Sequence, residues 1–212
     1  ALVCNPPNMA PYGARAAGVH NSPLAIAVPA GDRDPLVLDM ATSMAAFGKI
    51  NLAQDRRVPI PEGWALDSDG NPTTDPNEAR ILLPFGGYKA SSLALMFETL
   101  SSVMAGNGLL TASLLGGERQ RPGAQNSVVA AIDISAFTDV ADYKGEIDRL
   151  IAAIKGLPPA KGFAEVLVPG EIENRVRVER STTGIPLPEG TVMNLRQAAR
   201  DLGVPLPAAL AS

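Results

Sequence analysis

A chain of 212 residues with 46% hydrophobic and 19% charged side chains can bury one good core or two modest ones. A net charge of −4 and no basic block longer than Arg56-Arg57 argue against a nucleic-acid surface, and no apolar run approaches the ~18 residues a membrane-spanning helix needs. The single cysteine, Cys4, allows neither an internal disulfide nor a thiolate metal cluster, which fits a reducing, cytoplasmic compartment.

The 20 glycines and 19 prolines predict many turns and count against an all-helical bundle. Ala1-Leu2-Val3-Cys4 reads as the end of a buried strand, with no initiator methionine or signal pattern, so the chain is expected to be a fragment or a cleaved product. Pro23 to Pro29 predicts a strand closed by Pro29-Ala30-Gly31-Asp32, and Pro35 to Met40 predicts a second. A helix beginning near Thr42 or Ser43 would follow, with Met44 to Leu52 rich in helix formers. Residues 55–84 hold many turn signals, but Trp64, Leu66, Leu82, Leu83 and Phe85 favour a long loop that is packed down. A helix from about Ala90 to Ala105 would bury Leu93, Met96, Phe97, Leu100, Val103 and Met104, while its small residues would let another backbone approach. Gly116 to Asn126 reads as a polar loop, and Ser127 to Ile134 as the clearest buried strand. Asp142 to Lys155 is an amphipathic helix with Tyr143, Ile147, Leu150, Ile151 and Ile154 on one side. Ala164 to Val168 predicts a strand ending in Pro169-Gly170-Glu171, and the last helix runs from about Gly190 to Leu202 with Thr191 as its cap.

Ligand supply nearly excludes a metal: His20 is the only histidine, and a site built on it would need Cys4 plus carboxylates. His20 reads as a turn residue before Asn21-Ser22-Pro23, with a ligand contact as the alternative. Glu62, Asp67, Asp69 and Asp75 cluster in sequence, but their Gly and Pro neighbours make them solvated turn residues. Asp39, at the end of an apolar strand, could cap a helix or accept hydrogen bonds from a ribose or an amide. Thr42 and Ser43 offer hydroxyls and N–H groups suited to an anion, although no Gly-x-Gly-x-x-Gly fingerprint follows a strand. Lys89, after Gly86-Gly87-Tyr88 and at a helix start, sets a cation where the helix dipole disfavours it, which suggests a nearby ligand anion. Lys49 reads as solvated, and Glu171 as a plain turn residue.

These segments together resemble the malate, L-lactate, ureidoglycolate and 2,3-diketogulonate dehydrogenases that lack a Rossmann fold, a family that includes piperideine-2-carboxylate reductases. The likeness lies in Ser22-Pro23-Leu24-Ala25-Ile26-Ala27, Leu38-Asp39-Met40-Ala41-Thr42-Ser43, Gly48-Lys49-Ile50, Ile60-Pro61-Glu62-Gly63-Trp64-Ala65, Pro72-Thr73-Thr74-Asp75-Pro76, Leu82-Leu83-Pro84-Phe85-Gly86-Gly87-Tyr88-Lys89 and Val168-Pro169-Gly170-Glu171, in the family's order. It implies an α+β fold, with a cofactor domain on a mostly antiparallel sheet over residues 1–165 and a segment, 166–212, returning to a second domain. It also implies NAD or NADP as cofactor, a small carboxylate substrate and a homodimer. Cofactor contacts would fall on Asp39, Met40, Ala41, Lys89, Pro169, Gly170 and Glu171, with Thr42 and Ser43 as neighbours and Asn5 near a family serine. Lys49 is the residue expected to neutralise the substrate carboxylate.

The chain departs from the family pattern in three places. Ala90-Ser91-Ser92 replaces a glycine after Gly-Gly-x-Lys, and His20-Asn21-Ser22-Pro23 stands where relatives read Gly-Thr-Asn-Pro. The family's catalytic histidine lies in an N-terminal segment with no counterpart here, so the proton would be handled by a missing N-terminal segment or a companion chain. Hydride transfer to a 2-oxo acid is thus the expected chemistry of the complete enzyme. Reduction of a cyclic imino acid and a non-catalytic binding or assembly role are the alternatives.

Overall fold

A computed structural model describes residues 1–116 and 124–211. Strands β1 (Leu2–Cys4), β2 (Leu24–Val28), β3 (Leu36–Met40) and β7 (Asn126–Val128) form an antiparallel sheet in the order β3-β2-β1-β7. The β2–β3 hairpin pairs Leu24 with Met40 and Val28 with Leu36. Its connection is held from outside: Gly31 and Asp32 donate backbone N–H groups to the Asp148 carboxylate at 3.1 and 2.8 Å. Those donors hold the Asp148 carboxyl below the usual range.

Helix α1 (Phe47–Arg56) follows β3, and a small antiparallel sheet of β4 (Ala65–Leu66), β5 (Pro72–Thr73) and β6 (Ile81–Leu82) organises the long loop. That loop is packed down, with Ile60, Ala65 and Leu82 buried beside Met9, Ile50 and Ala94, and Leu66 buried as well. Single bridges from Met9 to Leu82 and from Ser43 to Pro84 tie the two sheets together.

Helix α2 (Tyr88–Glu98) continues into a π-helical turn, Thr99–Val103, and α3 (Leu109–Leu115) comes next. Phe97 of the expected stripe is buried with Leu93 packed beside it, but the rest of that face is turned outward. Ala90, Ala94, Ser101 and Ser102 are buried, whereas Met96, Leu100, Val103 and Met104 are exposed. The π-helical turn lies against β1 and β7, where the small Ser101 and Ser102 fit. The π turn, marked by the Met104 N–H donating to the Thr99 carbonyl at 3.0 Å, also shifts the helix phase so that both serines point inward. Buried Glu98 accepts from Ser102 Oγ at 2.7 Å and from the Leu110 N–H at 2.9 Å, so its side chain caps α3.

The strand expected over Ser127 to Ile134 is cut to Asn126–Val128, because β1 offers partners only from Leu2 to Cys4. Val129 and Ile132 beyond it are exposed. The loop expected from Gly116 to Asn126 falls largely outside the described residues. Helix α4 (Val140–Lys155) starts earlier than its periodicity suggested, because Asp139 accepts from the Ala141 and Asp142 N–H groups. Of its apolar side Ile151 is buried, while Leu150 and Ile154 remain exposed. Residues 164–168 form no strand; they run as an irregular link into α5 (Glu171–Thr183), which also takes in the alternating Val176 and Val178. Helix α6 (Glu189–Leu202) begins at Pro188 without a side-chain cap, so Thr191 sits inside its first turn. A short helix, α7 (Ala208–Ala211), follows. Among the described residues no helix is long and apolar enough to cross a membrane.

Candidate cofactor site

Asp39 lies inside β3, paired with Ala25, and is exposed. Helix α1 begins only at Phe47 with Ala46 as its unadorned cap, so Asp39 is free of the capping role and its carboxylate faces outward. It lines a cavity of about 390 Å³ together with Val37 of the same strand, Gly170, and Glu173, Asn174 and Arg177 of α5. Two segments far apart in the chain therefore meet at one depression.

The Pro169-Gly170-Glu171 turn is fastened to the edge of β3. The Val37 N–H donates to the Pro169 carbonyl at 3.1 Å. Gly170 has φ +89°, and a Cβ there would lie 3.1 Å from the Val37 nitrogen, so only glycine suits the position. Glu171 is engaged inside the protein: Lys155 Nζ donates to its two oxygens at 2.7 and 2.8 Å, and the Val168 N–H donates to Oε2 at 3.2 Å. Arg175 completes the group by bonding both Glu171 and Glu165. The Lys155 ammonium holds the Glu171 carboxyl below its usual range, and Arg175 with Lys155 draws Glu165 down to about 2. Glu171 thus anchors the turn, and the turn's backbone is what faces the cavity.

At the end of β3, Met40 pairs with Leu24, and Ala41 beyond it is half-buried. Thr42 and Ser43 are buried, and their polar groups are largely used internally. The Thr42 N–H donates to the Asn21 carbonyl at 3.1 Å, and Ser43 Oγ donates to the Ala45 carbonyl at 2.8 Å. Thr42 Oγ1, by contrast, is buried with no hydrogen-bond partner. The chain then reaches Met44, whose N–H donates to the Leu83 carbonyl at 2.8 Å and which lines a second cavity of about 450 Å³ with Gly63, Gly86 and Gly87. Lys89 is exposed on the first turn of α2, its stem within 3.9 Å of where a Gly86 Cβ would be. Asn5 is half-buried just after β1, and Lys49 is exposed on α1. Neither lines the two cavities described above.

His20 is 7% exposed and lies outside any turn, so it is a core residue rather than the expected turn residue. Its Nδ1 lies 3.4 Å from Ser22 Oγ, which in turn is 3.0 Å from Cys4 Sγ. Burial lowers the imidazole pKa to about 4, and burial likewise pushes the Cys4 thiol up. Sequence reasoning did not single out Tyr12, Lys155, Asn174 or Arg177. Their only signal is position in space, since none of them belongs to the segments that carry the family likeness.

A sequence profile of the malate/L-lactate dehydrogenase family matches residues 1–196, and the chain belongs to that family. It is 36% identical over 201 residues to an L-sulfolactate dehydrogenase of Methanocaldococcus jannaschii, covering 93% of this chain and 57% of the relative. It is 35% identical over 206 residues to a Delta(1)-pyrroline-2-carboxylate reductase of Agrobacterium fabrum, covering 95% of this chain and 52% of that protein. In structure it resembles the sulfolactate dehydrogenase from Methanocaldococcus jannaschii with a TM-score of 0.72 at 34% identity, over 96% of this chain and 58% of that one. A dehydrogenase from Sinorhizobium meliloti matches with a TM-score of 0.74 at 28% identity, over 92% of this chain and 57% of that one. The chain thus spans a little over half the length of these relatives. Its α+β, antiparallel, non-Rossmann architecture is that of the family.

The residues fit a nicotinamide dinucleotide. Asp39 supplies an outward acceptor, Lys89 an exposed cation, and Thr42 an unpaired hydroxyl in the connecting segment. A Cβ at Gly63 would meet nothing within 4 Å, so a ligand can approach the backbone there.

Proposed function

We propose that these residues form the cofactor half of an NAD(P)H-dependent oxidoreductase that moves a hydride to or from C2 of a small 2-oxo or 2-hydroxy acid, of malate or lactate type. The observation that carries this reading is the meeting of Asp39 with Gly170 at one cavity, in a chain of the malate/L-lactate dehydrogenase family. When bound, the reduced nicotinamide supplies the hydride. The chain's own residues do the rest. Asp39 accepts hydrogen bonds from a ribose hydroxyl or the carboxamide, and Lys89 faces the pyrophosphate. The backbones of Met40, Ala41, Thr42 and Ser43 and of Pro169 and Gly170 form the floor, with Glu171 holding the turn and Asn5 a neighbour at the end of β1. Lys49 neutralises the substrate carboxylate.

The proton comes from elsewhere. His20 is buried and its pKa is held at about 4, so near neutral pH it carries no second proton to give. A segment beyond these 212 residues, or a companion chain, supplies the acid. In this reading residues 1–165 are the cofactor domain, 166–212 return to a second domain, and the enzyme works as a cytoplasmic homodimer. Reduction of a cyclic imino acid is the second reading, supported by the likeness to the Agrobacterium fabrum reductase.

The test is a titration of the complete protein with NADH and NADPH, followed by nicotinamide fluorescence. One of the two saturates, and Asp39→Asn weakens it about tenfold or more, on the order of 1.4 kcal/mol. If neither binds, the reading is wrong and the binding or assembly alternative replaces it.

A further inference from the structure

A pair of amide side chains ties together segments that are far apart in the chain. Asn21 is buried, Asn8 is half-buried, and the two face each other. The Asn21 N–H donates to Asn8 Oδ1 at 2.8 Å, and Asn8 Nδ2 donates back to Asn21 Oδ1 at 2.9 Å. Asn21 Nδ2 then donates to Ser43 Oγ at 3.2 Å, and Ser43 Oγ donates to the Ala45 carbonyl at 2.8 Å. The bonds run in one direction. A backbone N–H at one end and a backbone carbonyl at the other fix which way each amide points, so every link depends on the one before it.

The backbones of the same two residues reach two of the segments assigned to the cofactor. The Asn21 carbonyl accepts from the Thr42 N–H at 3.1 Å, and the Asn8 carbonyl accepts from the Leu82 N–H at 3.0 Å, in the strand β6 that leads to the Gly86–Lys89 turn. The Phe85 N–H closes the circuit by donating to the Thr42 carbonyl at 3.1 Å. Apolar side chains could fill the same space, but a fully bonded polar group sets the register of one segment against another. The pair also falls where the chain departs from the family pattern, with His20-Asn21-Ser22-Pro23 in place of Gly-Thr-Asn-Pro. A threonine at position 21 has a single hydroxyl and cannot serve Asn8 and Ser43 through separate atoms.

We propose that Asn21, braced by Asn8, is a positioning residue that holds Thr42 and Ser43 in register with the turn carrying Lys89. The proposal rests on the dehydrogenase reading above. Neither amide touches the cofactor, and the effect of Asn21 passes through Ser43. With the Asn21 amide removed, Ser43 Oγ loses its donor, and residues 42–43 must be ordered when the cofactor binds. That ordering cost appears as lost affinity.

The experiment is a double-mutant cycle in the complete protein: Asn21→Ala, Ser43→Ala and the two combined, each titrated with NADH and NADPH by nicotinamide fluorescence. Ser102→Ala is the control, because it removes the bond from Ser102 to Glu98 without altering this chain of bonds. Urea midpoints are measured for every variant. The expected result is a tenfold or greater loss of cofactor affinity in each single variant, with the double variant no weaker than the weaker single one. Ser102→Ala loses stability and keeps its affinity. If Asn21→Ala does not fold, Asn21→Asp takes its place in the cycle, since it keeps the shape and the bond to Asn8 but has no proton for Ser43. Unchanged affinity in the Asn21 variant, losses that simply add, or an equal loss in Ser102→Ala overturns the proposal and leaves the dehydrogenase reading intact. No binding of NADH or NADPH by the unmodified protein removes that reading and this proposal with it.

Discussion

At the scale of single residues, His20 and Glu165 both weaken the fold on acidification, in pH windows that are readily separated. The His20 pKa falls from 6.5 to about 4 on burial, so the folded state favours the neutral ring. Its contribution is complete above pH 6.5 and is lost as pH falls from there towards 4, where the unfolded chain binds the extra proton; the upper bound is about 3 kcal/mol. Glu165, drawn from 4.5 to about 2 by Arg175 and Lys155, loses its contribution only below pH 4.5. Urea midpoints should therefore fall between pH 6.5 and 4.5 in the unmodified protein and stay flat over that window in His20→Asn. A slope that persists in His20→Asn would place the titrating group elsewhere. The sequence showed that His20 was the only imidazole, but its neighbour Ser22 meets Cys4 from another segment, an approach that no local pattern announces.

Among the elements, the turn before α5 is the most exposed to a single substitution. Gly170→Ala adds a methyl at φ +89° and presses it to within 3.1 Å of Val37, a strain of about 1–3 kcal/mol. Gly184 offers the control: its φ is +84°, but a Cβ there meets nothing within 4 Å. Both variants should lose stability in urea, and only Gly170→Ala should also weaken NADH several-fold. Equal NADH affinity in the two would separate this turn from the cofactor. The turn residues were readable in sequence, as were β2, β3 and the packed loop, because Pro, Gly and alternating apolar residues act locally. The buried face of α2 was only partly readable. Phe97 of its apolar stripe went in, but Met96, Leu100, Val103 and Met104 did not, and Ala90, Ala94, Ser101 and Ser102 took the other inward positions. The shortened β7 has the same kind of cause, since a strand extends only as far as its partner.

Across the whole molecule, the family likeness and the geometry divide the site between them. The motifs named Asp39, Lys89 and Pro169–Glu171, and the fold sets Asp39 beside Gly170 while turning Glu171 inward to Lys155. Tyr12 and Arg177 were hidden because their relation to the site exists only after folding. With His20 buried and the chain covering 57% of an L-sulfolactate dehydrogenase, the proposed division of labour leaves hydride placement here and proton transfer elsewhere. The most direct measurement gives the complete protein 4-deuterated NADH or NADPH with a set of 2-oxo and cyclic imino acids, and locates the deuterium by mass spectrometry. The expected product carries it at C2 of one of these acids. Bound cofactor with no deuterium on any product would contradict hydride transfer at this site.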